Sequence, residues 1–271
     1  MSVAVLMCIY CGDSITQFKE ALESITIKQN AVDESINVYL HVDGKISKEL
    51  DEYINRCGLI YKKVVSENNV GLASGLNRLI ACLEDERYVF RMDSDDISLP
   101  ERLLKQISFM DSNPTIDISG GSICEFIMSK DNVVTTRRYP TDHLSIANVI
   151  HKFSPIAHVT VCFRKSALIN LMEYPTNYPL NEDIAMWFKG LQSKCIFGNI
   201  NDTLVLVRMD GAYSRRTIKK ANSEFKVYFN ICRWKQTLPT HAVLRYFFRL
   251  LPSCFVKVIY NSKIRQLLLK S

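Results

Sequence analysis

No uncharged apolar run in this chain approaches the ~20 residues that cross a bilayer. Its first residues, MSVAVLMCIYCGD, have neither a basic leader nor a small-residue cleavage site. Both absences predict a protein that stays in the cytoplasm. No Gly-x-Gly-x-x-Gly follows the first apolar run, and Gly-x-x-x-x-Gly-Lys-[Ser/Thr] occurs nowhere. Dinucleotide oxidoreductases and P-loop phosphotransferases therefore lose their main signatures. A second Cys-x-x-Cys and any His-x-x-x-His are also missing, which argues against zinc. The nine cysteines, an odd number scattered through apolar segments, read as reduced thiols rather than a disulfide framework. Cys8 and Cys11 close a strand instead of opening a helix, unlike a redox pair. There is no internal repeat and no low-complexity linker.

The 271 residues are 47% hydrophobic and 23% charged, the balance of a globular chain. That length buries a large core as one α/β domain with an appendage, or as two small domains. Acid is scarce only in the tail: residues 208–271 carry 14 lysines and arginines against 2 acids, while the rest carries 20 against 26. Cations alternate there with aromatic and aliphatic residues, in EFKVYFNICRWK, VLRYFFRLL and CFVKVIYNSKIRQLLLK. At helical spacing Val243, Tyr246, Phe247 and Leu250 share a face, which suits packing on a domain or lying in a membrane interface. Basic and aromatic residues together also occur in nucleic-acid binders; the reading adopted is an anionic membrane surface and no nucleic-acid partner.

Strand and helix signals alternate through the first half, as in a mainly parallel, doubly wound α/β sheet. Strands are expected at 3–9, 36–42, 60–65 and 87–92. Helices are expected at 16–28 (opened by Thr16), 47–56 and 72–84, with another in LPERLLKQISFMDSN. Residues 116–138 read as short antiparallel strands turning at Lys130 to Asn132, HVTVCFRKSAL as a strand running into a helix, and NEDIAMWFKGLQ as a helix. CIFGNINDTLVLVRM reads as a strand pair. The simplest partition is a catalytic domain over 1–210 and a basic helical extension over 211–271.

RMDSDDISLPER places Asp93, Asp95 and Asp96 within four residues, just after the apolar run Tyr88, Val89 and Phe90. Carboxylates so grouped at a strand end suit Mg²⁺ or Mn²⁺, which in turn can hold a diphosphate. The same residues also read as an acidic loop entering a helix, with Asp96 or Ser98 as cap and Pro100 near its start. Asp43 falls at another strand end, so one mouth of the sheet would bear several carboxylates, where open α/β sheets bind ligands.

The order of these segments carries a resemblance. Strand VAVLMCIY, helix FKEALESI, strand-end HVDG, loop ENNVGLASGLNRLI, DSDD with LPERL, SPIAHVTVCFRKSAL and NEDIAMWFKGL follow one another as in family 2 glycosyltransferases of the GT-A fold. In particular the chain resembles the bacterial O-antigen transferases of that family with a D-x-D-D motif, over residues 3–210. It departs from them at Cys8 and Cys11, where many members have Pro and Asn, and at Leu76, where Arg is frequent.

The resemblance implies roles. Asp43 would hydrogen-bond the uracil ring, or else cap the turn at Gly44; Asn68, in Asn-x-x-Gly, would lie beside the nucleotide. Asp95 would ligate the metal directly, and Asp93 would assist it or contact the ribose. Asp96 would orient the transferred sugar. Glu182 and Asp183 match the acidic pair before a helix, with Asp183 as base; their structural alternative is to complement the helix macrodipole. His158 would line the acceptor side or bind a phosphate, or be a core histidine. Arg215 and Arg216 would grip a diphosphate, or form a solvated basic turn. The implied activity is metal-dependent and inverting: β-1,3 transfer of glucose from UDP-glucose to GlcNAc-diphospho-undecaprenol in O-antigen assembly, with galactosyl transfer as the alternative. The implied site of action is the cytoplasmic face of the bacterial inner membrane. The rival classes are a non-catalytic nucleotide-sugar binding module and a nucleotidyltransferase.

Overall fold

The computed structural model describes residues 2–30, 32–210 and 217–251. Its first half follows the apolar runs: β1 (Ser2–Tyr10), α1 (Ile15–Ile25), β2 (Ser35–Asp43), α2 (Lys48–Arg56), β3 (Ile60–Ser66), α3 (Leu72–Ile80) and β4 (Tyr88–Arg91). A short β5 (Ile97–Ser98), α4 (Arg102–Ser112), β6 (Ile118–Ile127), β7 (Ser129–Arg137) and α5 (His143–Val149) follow. Next come a 3-10 turn (His158–Thr160), β8 (Cys162–Arg164), α6 (Lys165–Leu171), α7 (Glu182–Gln192), β9 (Phe197–Arg208), α8 (Ile218–Lys235) and α9 (Thr240–Leu250).

Among the described residues these strands make one mixed sheet, in the order β3-β2-β1-β4-β8-β6-β9-β5, with β7 on β6. β3, β2, β1 and β4 are mutually parallel, whereas β8 runs antiparallel to β4 and to β6. The central strands are apolar on both faces because helices cover both. On one face Val3, Val5 and Met7 pack with Phe18, Leu22, Leu50 and Leu103 of α1, α2 and α4. On the other, Ala4 and Leu6 pack with Leu76, Trp187 and Ile231 of α3, α7 and α8. Continuous apolar strands are what a doubly covered sheet demands.

Several expectations are corrected. Helix α1 starts at Ile15 with Ser14 as N-cap rather than at Thr16, and α3 stops at Ile80 rather than 84. The pair expected in CIFGNINDTLVLVRM is one strand, β9. Its Asn201 and Asp202 mark an irregularity in the parallel ladder with β6, between the Gly121–Ile200 and Ser122–Thr203 pairs, instead of a hairpin turn. The turn between β6 and β7 lies at Met128, φ 63°, rather than at Lys130 to Asn132. Helix α8 sends Val227, Tyr228 and Ile231 into the main core, while α9 contributes Ala242 to it. The segment 211–216, next to the expected domain boundary, lies outside the described residues.

Candidate active site

Because β1, β2 and β4 are parallel, their carboxyl ends open on one edge. Tyr10 stands beside Asp43 there, and Arg91 closes β4. Antiparallel β8 starts where β4 ends; the Arg91 amide donates to Val161 O at 3.1 Å, which brings the turn bearing His158 to the same edge.

The Asp43 carboxylate accepts the amides of Val70 and Gly71 at 2.7 and 2.9 Å, so it anchors the loop entering α3. Gly71 and Gly44 both have left-handed backbones, φ 85° and 84°, which glycine adopts without steric cost. A side chain on Gly44 would meet Asn69 N at 3.0 Å. Asn68 is exposed in the same loop.

Asp93, Asp95 and Asp96 each present a ligand oxygen, and these oxygens lie within 4.8 Å of one another. Three hard oxygen donors at this spacing fit a Mg²⁺ or Mn²⁺ ion. The buried Arg91 guanidinium engages both oxygens of Asp93, with Nη1 donating at 2.6 Å and Nη2 to the other oxygen. Asp96 accepts the Arg208 amide at 2.8 Å, and Arg208 Nε donates to Asp95 O at 3.0 Å. Burial, then the charges of Asp93 and Asp95, hold the Asp96 carboxyl well above the usual carboxylate range. The capping alternative is not realised, since α4 has Glu101 as N-cap with no side-chain bond.

A fourth acid joins them. Asp13 accepts the Tyr10 amide at 2.7 Å and the Ser94 hydroxyl at 2.9 Å. Burial, reinforced by Asp95 and Asp93, pushes its carboxyl up to about 6.

Glu182 and Asp183 occupy the first turn of α7, both half-buried. The Ser154 hydroxyl donates to Asp183 Oδ2 at 3.5 Å. Burial raises both carboxyls above their ordinary values; Asp183 adds to the rise of Glu182, while Lys220 and Arg91 oppose it at both. Arg91 thus lies within electrostatic reach of Asp93, Asp96 and this acid pair.

His158 Nε2 lies 3.1 Å from Tyr174 Oη, and its ring meets the Trp187 ring edge-on at 5.8 Å. Burial, then Arg91, holds the imidazole well below its usual value. It therefore offers a neutral hydrogen-bonding group rather than a cation for phosphate. Arg215 and Arg216 lie outside the described residues. Cys8, partly buried, packs near Gly75 and its thiol is pushed up by burial, away from reactive thiolate character; Cys11 is exposed.

A model of glycosyl transferase family 2 matches residues 18–171, more than half of the chain. The chain belongs to glycosyltransferase family 2. An uncharacterized glycosyltransferase of Haemophilus influenzae is 33% identical, covering 98% of this chain and 100% of that one. A UDP-Gal:alpha-D-GlcNAc-diphosphoundecaprenol beta-1,3-galactosyltransferase of Escherichia coli is 34% identical, covering 98% and 97%. The amylovoran biosynthesis glycosyltransferase AmsE of Erwinia amylovora is 30% identical, covering 95% and 97%. Among solved structures, S. aureus TarS 1-349 in complex with UDP-GlcNAc gives a TM-score of 0.63 at 19% identity, covering 84% of this chain and 65% of that one. The mannosyltransferase PcManGT of Pyrobaculum calidifontis, in complex with GDP-Man and Mn²⁺, gives 0.64 at 14%, covering 94% and 78%. The fold is that of the GT-A glycosyltransferases.

Within this family 2 transferase the site contains three residues that sequence reasoning passed over. Asp13 was signalled by the Gly12-Asp13 turn at a strand end, and Arg91 by a charge closing an otherwise apolar strand. Arg208 gave no signal, because its partners Asp95 and Asp96 lie more than a hundred residues away.

Proposed function

We propose that this transferase moves a hexose from a UDP-sugar to a hydroxyl of a polyprenyl-diphosphate-linked sugar, with inversion, in the assembly of a bacterial surface polysaccharide such as O-antigen. The observation that carries the reading is the meeting of two acid groups at one sheet edge: Asp93, Asp95 and Asp96 on the β4 side, Glu182 and Asp183 on the α7 side, with Arg91 in reach of both.

A divalent ion held by this cluster, with Asp95 as direct ligand, would supply positive charge to the departing diphosphate. On the donor side the Tyr10 ring, 47% exposed and paired in register with Asp43, offers a flat face on which a uracil can stack. Asp43 keeps lone pairs beyond its two loop bonds to accept from the base. On the acceptor side Asp183 takes the proton of the attacking hydroxyl as the glycosidic bond forms. Its raised carboxyl brings its proton affinity closer to neutral, where a general base works best. Single displacement at an α-linked donor gives a β product. His158 and Tyr174 line this region as neutral hydrogen-bonding groups.

The donor hexose has two readings. Glucose, in β-1,3 linkage to GlcNAc-diphospho-undecaprenol, follows from the D-x-D-D resemblance. Galactose on the same acceptor is favoured by the name of the 34%-identical Escherichia coli relative. The two sugars differ only in configuration at C4. Among the described residues no helix is long and apolar enough to cross a membrane. Access to a lipid-linked acceptor would instead come from surface contact through α9, where Leu244, Phe247 and Leu250 are exposed. On this reading the protein works as a peripheral protein at the cytoplasmic face of the inner membrane.

A donor screen tests the reading: purified protein, Mn²⁺ or Mg²⁺, a panel of UDP-sugars and a synthetic GlcNAc-diphosphate-lipid, with UDP release measured and the product linkage determined by NMR. UDP release with a β-linked disaccharide product is expected. Pyrophosphate release would mean nucleotidyl transfer, and binding of UDP-sugar without turnover would mean a binding module.

A further inference from the structure

Tyr10 and the carboxylate cluster belong to different elements, and the Asp13 side chain joins them. The Tyr10 amide donates to Asp13 Oδ2 at 2.7 Å and the Asp13 amide returns a bond to Tyr10 O at 3.1 Å, so residues 10–13 close into one tight turn. The Tyr10 ring lies back over this turn: a methyl group on Gly12 would meet its Cζ and Oη at 2.6 Å. Ring and turn therefore share one position, while the residue stays 47% exposed.

The second oxygen of Asp13 reaches outside the turn. Ser94, 8% exposed, donates its hydroxyl to Asp13 Oδ1 at 2.9 Å, and Ser94 stands between Asp93 and Asp95. The rest of the acidic turn is held from other directions: Asp93 by Arg91, Asp96 by the Arg208 amide, and the Ser98 amide by Ser24 Oγ of α1 at 2.9 Å. Arg208 in turn donates from Nη2 to Glu20 of α1 at 3.0 Å. Those bonds fix the cluster against the sheet and α1, whereas Asp13 fixes it against the Tyr10 turn.

We propose that Asp13 is a positioning residue, a strut that sets the spacing between the Tyr10 ring and the cation-binding turn to the span of a nucleoside diphosphate. This inference rests on the reading of Tyr10 as the base platform and of the acidic cluster as a cation site. On that reading UDP meets the protein at two separated places, the base at Tyr10 and the diphosphate at the ion. Two linked contacts reinforce each other only when the protein holds both at the distance that the ligand spans. A carboxylate with one oxygen bonded in each turn does this without touching the ligand. Its charge is not required: an Asn side chain here can accept the Tyr10 amide through its oxygen and donate to Ser94 Oγ through its nitrogen, with the hydroxyl turned round.

The test compares two ligands on the full chain: uridine, which engages the base platform alone, and UDP in saturating Mn²⁺, which engages both places. Uridine affinity is read by ligand-observed NMR and UDP affinity by calorimetry. In Asp13→Ala uridine affinity is expected to stay within about twofold of wild type while UDP binds about tenfold more weakly. Ser94→Ala cuts the tie and leaves the Tyr10–Asp13 turn in place; the same result is expected of it, and it carries the test if Asp13→Ala does not fold. Asp13→Asn is expected to retain most of the wild-type ratio between the two affinities. An unchanged ratio in folded Asp13→Ala or Ser94→Ala, whether both ligands bind as in wild type or both bind more weakly, overturns the inference and leaves the nucleotide reading standing. A loss of UDP affinity in Asp13→Asn as large as in Asp13→Ala also overturns it, because the Asp13 charge would then act on the ion itself. If wild type in Mn²⁺ binds UDP no more tightly than uridine, the cation reading falls as well.

Discussion

Asp43 and Gly71 are joined across twenty-eight residues by a hydrogen bond of 2.9 Å from the Gly71 amide to the Asp43 carboxylate, beside a second from Val70 at 2.7 Å. One carboxylate at the end of β2 therefore shapes the loop ahead of α3, and a base bound beside Tyr10 would rest on that arrangement. Replacing Asp43 by Ala leaves two amides without their charged acceptor, a cost of about 2–3 kcal/mol. The expected outcome is a lower midpoint of chemical denaturation together with weaker UDP binding by calorimetry. Asp43→Asn keeps one acceptor oxygen and should fall between the two. Wild-type UDP affinity in a destabilised Asp43→Ala protein would confine Asp43 to the loop.

Asp95→Ala should abolish metal-supported transfer, because the ion loses its direct ligand while the diphosphate charge must still be met. Chelation with EDTA should reproduce the loss in wild type, and added Mn²⁺ should restore wild type but not the variant. Full activity of Asp95→Ala in EDTA would remove the metal from the reaction. The comparison is read against circular dichroism, so that misfolding is not mistaken for lost chemistry.

What the sequence made legible was whatever depends on near neighbours. VAVLMCI and INVYLHV are apolar on both faces because helices cover both sides of β1 and β2, and that pattern is visible without coordinates. Asn201 and Asp202 misled because a polar pair inside an apolar run marks a hairpin turn and a strand irregularity alike; β6 alongside decides between them. The carboxylate cluster was legible as a string, but its bracing was not. Ser94 reaches Asp13 over 81 residues and Arg208 reaches Asp96 over 112, and no local pattern records such contacts. In the tail, where the sequence shows only cations alternating with apolar residues, Glu224, one of just two acids there, binds both Arg245 and Arg249.

Asp183→Asn preserves shape and removes the basic carboxylate, so UDP-sugar binding should remain near wild type while turnover falls by at least ~10². The raised carboxyl gives this a pH signature. Wild-type turnover should rise along an acid limb displaced above the ordinary carboxylate range, and that limb should be lost in the variant. A carboxyl raised in the folded state takes up a proton more readily there than in the unfolded chain, so ionising it weakens the fold as pH rises. Asp183→Asn should therefore melt at or above the wild-type temperature at neutral pH, an advantage that shrinks as pH falls through the raised range and is gone below the ordinary carboxylate value. Normal turnover in a folded variant would transfer the role to Glu182.

Contact with an anionic membrane is best tested through apolar residues, for a reason the α8–α9 junction supplies. Arg249 Nε donates to Glu224 at 2.6 Å and Arg245 Nη1 at 3.2 Å, and Glu224 is 5% exposed. Reversing those arginines would set acids against a buried acid and undock α9, so lost binding would report unfolding of the helix. Leu244, Phe247 and Leu250 are 66%, 63% and 45% exposed, and burying three such side chains in an interface is worth about 4 kcal/mol. Leu244→Ser, Phe247→Ser and Leu250→Ser together should lower sedimentation with liposomes containing anionic lipid at least tenfold at low salt. Transfer to a short-chain soluble acceptor should be unaffected, because these side chains lie outside the acid clusters. Added salt should weaken wild-type binding, since near-surface cations contribute about 1 kcal/mol each. Unchanged sedimentation of the triple variant would mean that α9 does not meet the membrane.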